Sequence, residues 1–94
     1  MATKHDMYTL GSSTAVRLTP PGIHTGMDIT LQNVNDSGFI YVGDENVSPT
    51  NYGFRIIPGA AISWTLPGLD TLYVIGSTTN LKLAVMKVGP GVSL

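Results

Sequence analysis

The chain contains no cysteine and carries little charge. The first absence removes disulfides, thiolate metal ligands and cysteine nucleophiles together, so stability has to come from packing. The second is quantitative: Asp, Glu, Lys and Arg make up 12% of the residues, against roughly 25% in an average soluble domain. The basic residues Lys4, Arg17, Arg55, Lys82 and Lys87 are scattered, and the net charge is −1. No electrostatic footprint for a phosphate backbone exists, which argues against nucleic acid as a direct partner. No apolar run approaches the roughly 20 residues of a membrane-spanning helix, and the opening MATKHDMYTLGSST lacks the apolar stretch of a signal peptide. The expectation is a protein made in the cytoplasm, without membrane association, in which the sequon Asn46-Val47-Ser48 is only a polar turn.

Helical periodicity is missing as well, because Gly or Pro interrupts almost every window of about ten residues. Period two takes its place. In MDITLQN, Met27, Ile29 and Leu31 point one way and Asp28, Thr30 and Gln32 the other. AISWTL repeats the device with Ile62, Trp64 and Leu66 inward, and LKLAVMKV with Leu81, Leu83 and Val85. FIYV and TLYVIG are continuous apolar runs, which suits central strands covered on both faces, one by the core and one by a neighbour. AVRLT and FRII are shorter candidates. Turn signals fall between these runs, with Pro58-Gly59 suited to a type II turn and Asn35-Asp36-Ser37-Gly38 to a hairpin. The fold class this predicts is all-β: a single antiparallel β-sandwich, jelly-roll-like, or a small barrel of about seven or eight short strands. Ninety-four residues allow one core. The expected organisation is an N-terminal arm over 1–14, a sandwich over 15–88 and a tail over 89–94, the arm being dispensable for folding.

Reactive constellations are scarce. Neither His5, beside Asp6, nor His24 has a second histidine at a spacing that converges on one metal ion. Asn33, Asn35, Asp36, Asp44, Glu45 and Asn46 supply oxygens suited to Ca²⁺, but no Asp-x-Asp-x-Asp-Gly loop is present, and Asx turns account for them without a metal. There is no Gly-x-Ser-x-Gly elbow, no phosphate-cradling glycine loop and no carboxylate pair in a recognisable motif. The reading is a protein that is not an enzyme and needs no cofactor and no metal. Tyr41, Tyr52, Trp64 and Tyr73 invite a sugar-stacking reading, against which Trp64 shares its face with Ile62 and Leu66 and reads as core. Tyr52, in a turn, is the aromatic placed at the surface.

The series GFIYVGDENVSPTNYGFRIIPGAAISWTL followed by LDTLYVIGSTTNLKLAVMKV resembles a pattern in small all-β structural proteins of tailed bacteriophages, over roughly residues 27 to 88. The resemblance implies a virion component, most like a capsid decoration (cement) protein on the outer capsid surface, whose partner is the major capsid protein. A tail or fibre-base component is the alternative within that class, and a β-sandwich carbohydrate-binding module the alternative outside it. Low charge favours self-association, and the expected assembly is a homo-oligomer, a trimer. The contact residues this suggests are Met7, Tyr8 and Leu10, apolar side chains on an otherwise polar arm, together with Asp44 and Tyr52 in the central loop.

Overall fold

The computed structural model describes residues 2–18, 26–66 and 71–89. They form eight strands: β1 (Ala2–Leu10), β2 (Val16–Arg17), β3 (Met27–Asn33), β4 (Ile40–Gly43), β5 (Phe54–Ile56), β6 (Ala61–Leu66), β7 (Tyr73–Gly76) and β8 (Leu81–Gly89). Two four-stranded antiparallel sheets result, ordered β1-β8-β3-β6 and β2-β7-β4-β5. Only the β4–β5 hairpin stays within one sheet; every other connection crosses the sandwich. That is the connectivity of a jelly roll.

Period-two alternation builds the core. The inward positions of β3 and β8, Met27, Ile29, Leu31, Leu81, Leu83 and Val85, are all buried and meet Ile40, Val42, Ile56 and Val74 of the opposite sheet. The continuous runs are the central strands β4 and β7. Their outward residues Tyr41 and Ile75 are buried too, but the cover comes from the chain itself. The β4–β5 loop folds back so that Val47 packs on them and the Tyr52 ring lies 4.6 Å from that of Tyr41.

Four expectations require correction. Residues 2–10 are not an arm: β1 pairs with β8 without a break, from Ala2↔Gly89 to Leu10↔Leu81. Its alternation is hidden in sequence because Lys4 and Asp6 occupy inward positions where an apolar residue would announce a strand. The strand β8 also carries the sandwich one residue further, to Gly89. Ile62 and Trp64 are only half-buried, since β6 is a sheet edge and an edge residue is sealed on one side alone. The segment Asn35–Gly38 is no hairpin, because it leads from β3 in one sheet to β4 in the other.

Asn33 is what redirects it. Fully buried in line with Met27, Ile29 and Leu31, its side-chain amide donates to the carbonyls of Gly38 (3.1 Å) and Ile56 (2.9 Å). Its Oδ1 accepts from the Asn35 backbone N–H (3.1 Å) and side-chain amide (2.8 Å). Asn35 in turn brackets Lys82, donating to its carbonyl at 2.8 Å and accepting from its N–H at 2.9 Å. Both sheets are thus pinned at one end of the sandwich. Gly38 adopts φ +95°, which strains any residue with a side chain, and a Cβ there would sit 2.8 Å from Leu81 Cδ2 and push that side chain aside. The type II turn at Pro58-Gly59 is present: Gly59 has φ +81°, and the Ala60 N–H donates to the Ile57 carbonyl at 3.1 Å.

Candidate functional site

Outward positions of the β1-β8-β3-β6 sheet follow from its registers. They are Thr3, His5, Met7 and Thr9 on β1, Lys82, Ala84, Met86 and Val88 on β8, Asp28, Thr30 and Gln32 on β3, and Ala61, Ser63 and Thr65 on β6. The face is made of hydroxyls and methyls. Its two formal charges at neutral pH, Asp28 and Lys82, are each engaged by a threonine. Thr65 Oγ1 donates to Asp28 Oδ1 at 2.9 Å, and Lys82 Nζ donates to Thr9 Oγ1 at 2.6 Å. Thr30 and Ser63 bond each other at 2.8 Å. Met7 and Met86 stand out from the surface at 61% and 46% exposure, and a shallow depression of about 230 Å³ runs between Thr30, Gln32, Ala84 and Met86.

The opposite face is different in kind. Around the Tyr41–Tyr52 pair, the Arg55 guanidinium lies 4.8 Å over the Phe39 ring, which suits a cation–π contact. Asp44 Oδ1 accepts from the Asn46 N–H at 2.8 Å, the Asx turn expected of it. A recess of about 220 Å³ is lined by Gly43, Asp44, Val47, Asn51, Tyr52 and Gly53. On the flank, Phe54 and Trp64 meet edge-to-face at 5.9 Å beside a cleft shared with Val42 and Leu72.

The suggested contact residues therefore separate. Met7 is presented on the hydroxyl face. Tyr8 is half-buried between the sheets, and Leu10, 1% exposed, belongs to the core opposite Leu81, which removes it from any contact surface. Asp44 and Tyr52 lie on the far sheet's loop. His24 lies outside the described residues. Among the described residues, no group of three or more His, Asp or Glu gathers at one point. His5 faces outward opposite Met86.

One polar cluster went unnoticed in the sequence. Lys4, Asp6 and Lys87 share the parity of the core-facing positions of β1 and β8; at the sheet edge Lys4 is exposed and Asp6 half-buried, while Lys87 is 8% exposed. Burial lowers the Lys87 pKa below that of an ordinary lysine, Asp6 pulling it back up and Lys4 depressing it further. Burial raises the Tyr8 pKa, and the neighbouring Asp6 carboxylate adds to the rise. The signal was parity: Lys87 is two residues beyond Val85, as Asn33 is two beyond Leu31.

The chain matches no protein-family model, and no curated protein or solved structure is significantly similar to it.

Proposed function

We propose that the protein is a non-enzymatic structural subunit of a tailed-phage particle, decorating and stabilising the outer capsid by laying the outward face of the β1-β8-β3-β6 sheet on the lattice of the major capsid protein. The observation that carries this reading is the chemistry of that face. A surface of threonine, serine, alanine and methionine, whose carboxylate and ammonium are already hydrogen-bonded within the sheet, loses little hydration on docking. Methionine adds adaptable apolar contact. The sequence resemblance supplies the partner class, and a rigid two-sheet scaffold suits a part repeated many times over a lattice, where linked contacts strengthen one another.

The test is co-sedimentation with capsids that lack the native protein. Ala84→Lys and Met86→Lys place charges in the middle of the hydroxyl face without touching the core. Either should weaken binding at least about tenfold, or about 1.4 kcal/mol, while Tyr52→Ala leaves it nearly unchanged. The reverse pattern moves the contact to the β4–β5 loop, and failure of the wild-type protein to bind any capsid refutes the reading. The Phe54–Trp64 pair beside its cleft favours one second reading, a carbohydrate-binding module, since exposed rings stack on sugar faces. Saturable binding on a glycan array, abolished by Trp64→Ala, would select it.

A further inference from the structure

Strand β1 is a sheet edge nine residues long, and its pairing with β8 leaves its other side without a described neighbour. Edges of this kind template pairing with another chain unless they are short, bulged, interrupted by proline or blocked by charge. The other edge of the same sheet, β6, is six residues long, and the edges of the second sheet, β2 and β5, are two and three. β1 has no proline and no bulge; its only protection is the inward pair Lys4 and Asp6.

We infer that this edge pairs with β1 of a second copy, antiparallel about a twofold axis through His5, joining the two β1-β8-β3-β6 sheets into one. The charges select that register. Antiparallel self-pairing that keeps the two faces aligned must centre on a residue, and each choice fixes what opposes Lys4 and Asp6. Centring on Lys4 sets Lys4 against Lys4, and centring on Asp6 sets Asp6 against Asp6, both repulsive. Centring on Met7 sets Lys4 against Leu10. Centring on His5 alone places each Lys4 opposite the other copy's Asp6, twice by symmetry, and lays each exposed Met7 against the other copy's Thr3. Within one copy Lys4 sits directly across from Lys87, a like-charge pair that a carboxylate arriving on its other side offsets. The resulting assembly is built from pairs rather than from the threefold contact expected of the sequence. It also doubles the hydroxyl face, although the inference does not rest on what that face binds.

The absence of cysteine makes the register directly readable. With His5 opposite His5, the two Cα atoms lie about 4.5–5.5 Å apart, inside the disulfide window of about 4.4–6.8 Å. Under mild oxidation His5→Cys should become a covalent dimer within a folded protein. In the same register, like residues at Met7 and at Thr9 lie roughly 14 Å and 27 Å apart along the strands at about 3.4 Å per residue, so Met7→Cys and Thr9→Cys should stay monomeric. On the unmodified protein, light scattering should give twice the 9.9 kDa chain mass, and a zero-length carbodiimide should join Lys4 of one copy to Asp6 of the other, identified by mass spectrometry of the dimer band. A wild-type protein that is monomeric at every concentration and yields no such cross-link overturns the inference whatever the variants do, and so does faster oxidation of Met7→Cys or Thr9→Cys than of His5→Cys. Because these readouts need no capsid, their failure leaves the docking face untouched.

Discussion

Replacing Asn33 with aspartate keeps the side chain's shape and deletes its two donors. In the native protein those donors satisfy the Gly38 and Ile56 carbonyls at a site with no solvent exposure. After the change, both carbonyls face a carboxylate oxygen. A buried polar group left without its partner costs about 1–3 kcal/mol, so the two together cost about 2–6 kcal/mol. A domain of this size is typically stable by roughly 5–14 kcal/mol, which makes the loss a large fraction of the total. At about 4–8 °C per kcal/mol for a domain of fewer than 100 residues, the melting temperature should fall by roughly 10–50 °C. Urea unfolding followed by the fluorescence of Trp64, the single tryptophan, measures the free energy directly. Protonating the new carboxyl restores one donor, so the deficit should shrink on acidification. A loss below about 1 kcal/mol with an unchanged denaturant slope would show that the amide network does not pin the two sheets.

Lys87→Met should raise stability at neutral pH by no more than about 1 kcal/mol, because it removes a partly desolvated ammonium whose partner Asp6 offsets only part of the cost. With the lysine present, its folded-state pKa lies below the unfolded one; the unfolded chain binds more protons just below pH 10.5, and stability should rise with pH through that window. Tyr8, raised above its ordinary value of 10.0, works against this rise from about pH 10 upward, so a melting series on Tyr8→Phe separates the two. Deleting residues 1–13 should abolish cooperative unfolding, since it strips β1 from β8 and opens the core at Leu81, Leu83 and Val85; a truncated chain with a native circular dichroism spectrum and sharp melt would restore the arm. Trp64→Ala should cost about 1–3 kcal/mol, less than the 3–5 of a fully buried aromatic, since the ring is half-buried and loses chiefly the edge-to-face contact with Phe54; a cost above that range returns it to the core. EDTA should leave the melting temperature unchanged, and a drop of several degrees would reveal a metal ion contributing to the fold.

Strands whose inward residues are apolar could be read from the chain alone. MDITLQN, AISWTL and LKLAVMKV announced three of the four strands of one sheet, and the unbroken runs FIYV and TLYVIG marked the centre of the other. What failed was any position where an inward place is taken by a polar residue. Lys4 and Asp6 disguise β1 as an arm, and Asn33 reads as a metal oxygen or a turn former when it is a buried clamp. Composition cannot distinguish an asparagine that turns a chain within a sheet from one that sends it across to the other sheet, because the difference lies in partners, Gly38, Ile56 and Lys82, that are distant in sequence. For the same reason the contact residues were mixed. Met7, Tyr8 and Leu10 looked alike as apolar residues in a polar segment, whereas strand alternation sends Met7 outward and the other two inward. The hydroxyl face was invisible until the registers assembled it from four separate strands.

The docking claim meets its most direct test in a cryo-electron microscopy reconstruction of capsids that lack the native protein after incubation with the purified chain. The expected result is added density on the outer surface, with the β1-β8-β3-β6 sheet turned toward the lattice, Met86 and Ala84 at the contact and the Tyr41–Tyr52 loop facing solvent. Density oriented with that loop against the capsid, or a bare capsid surface at saturating protein, would contradict it.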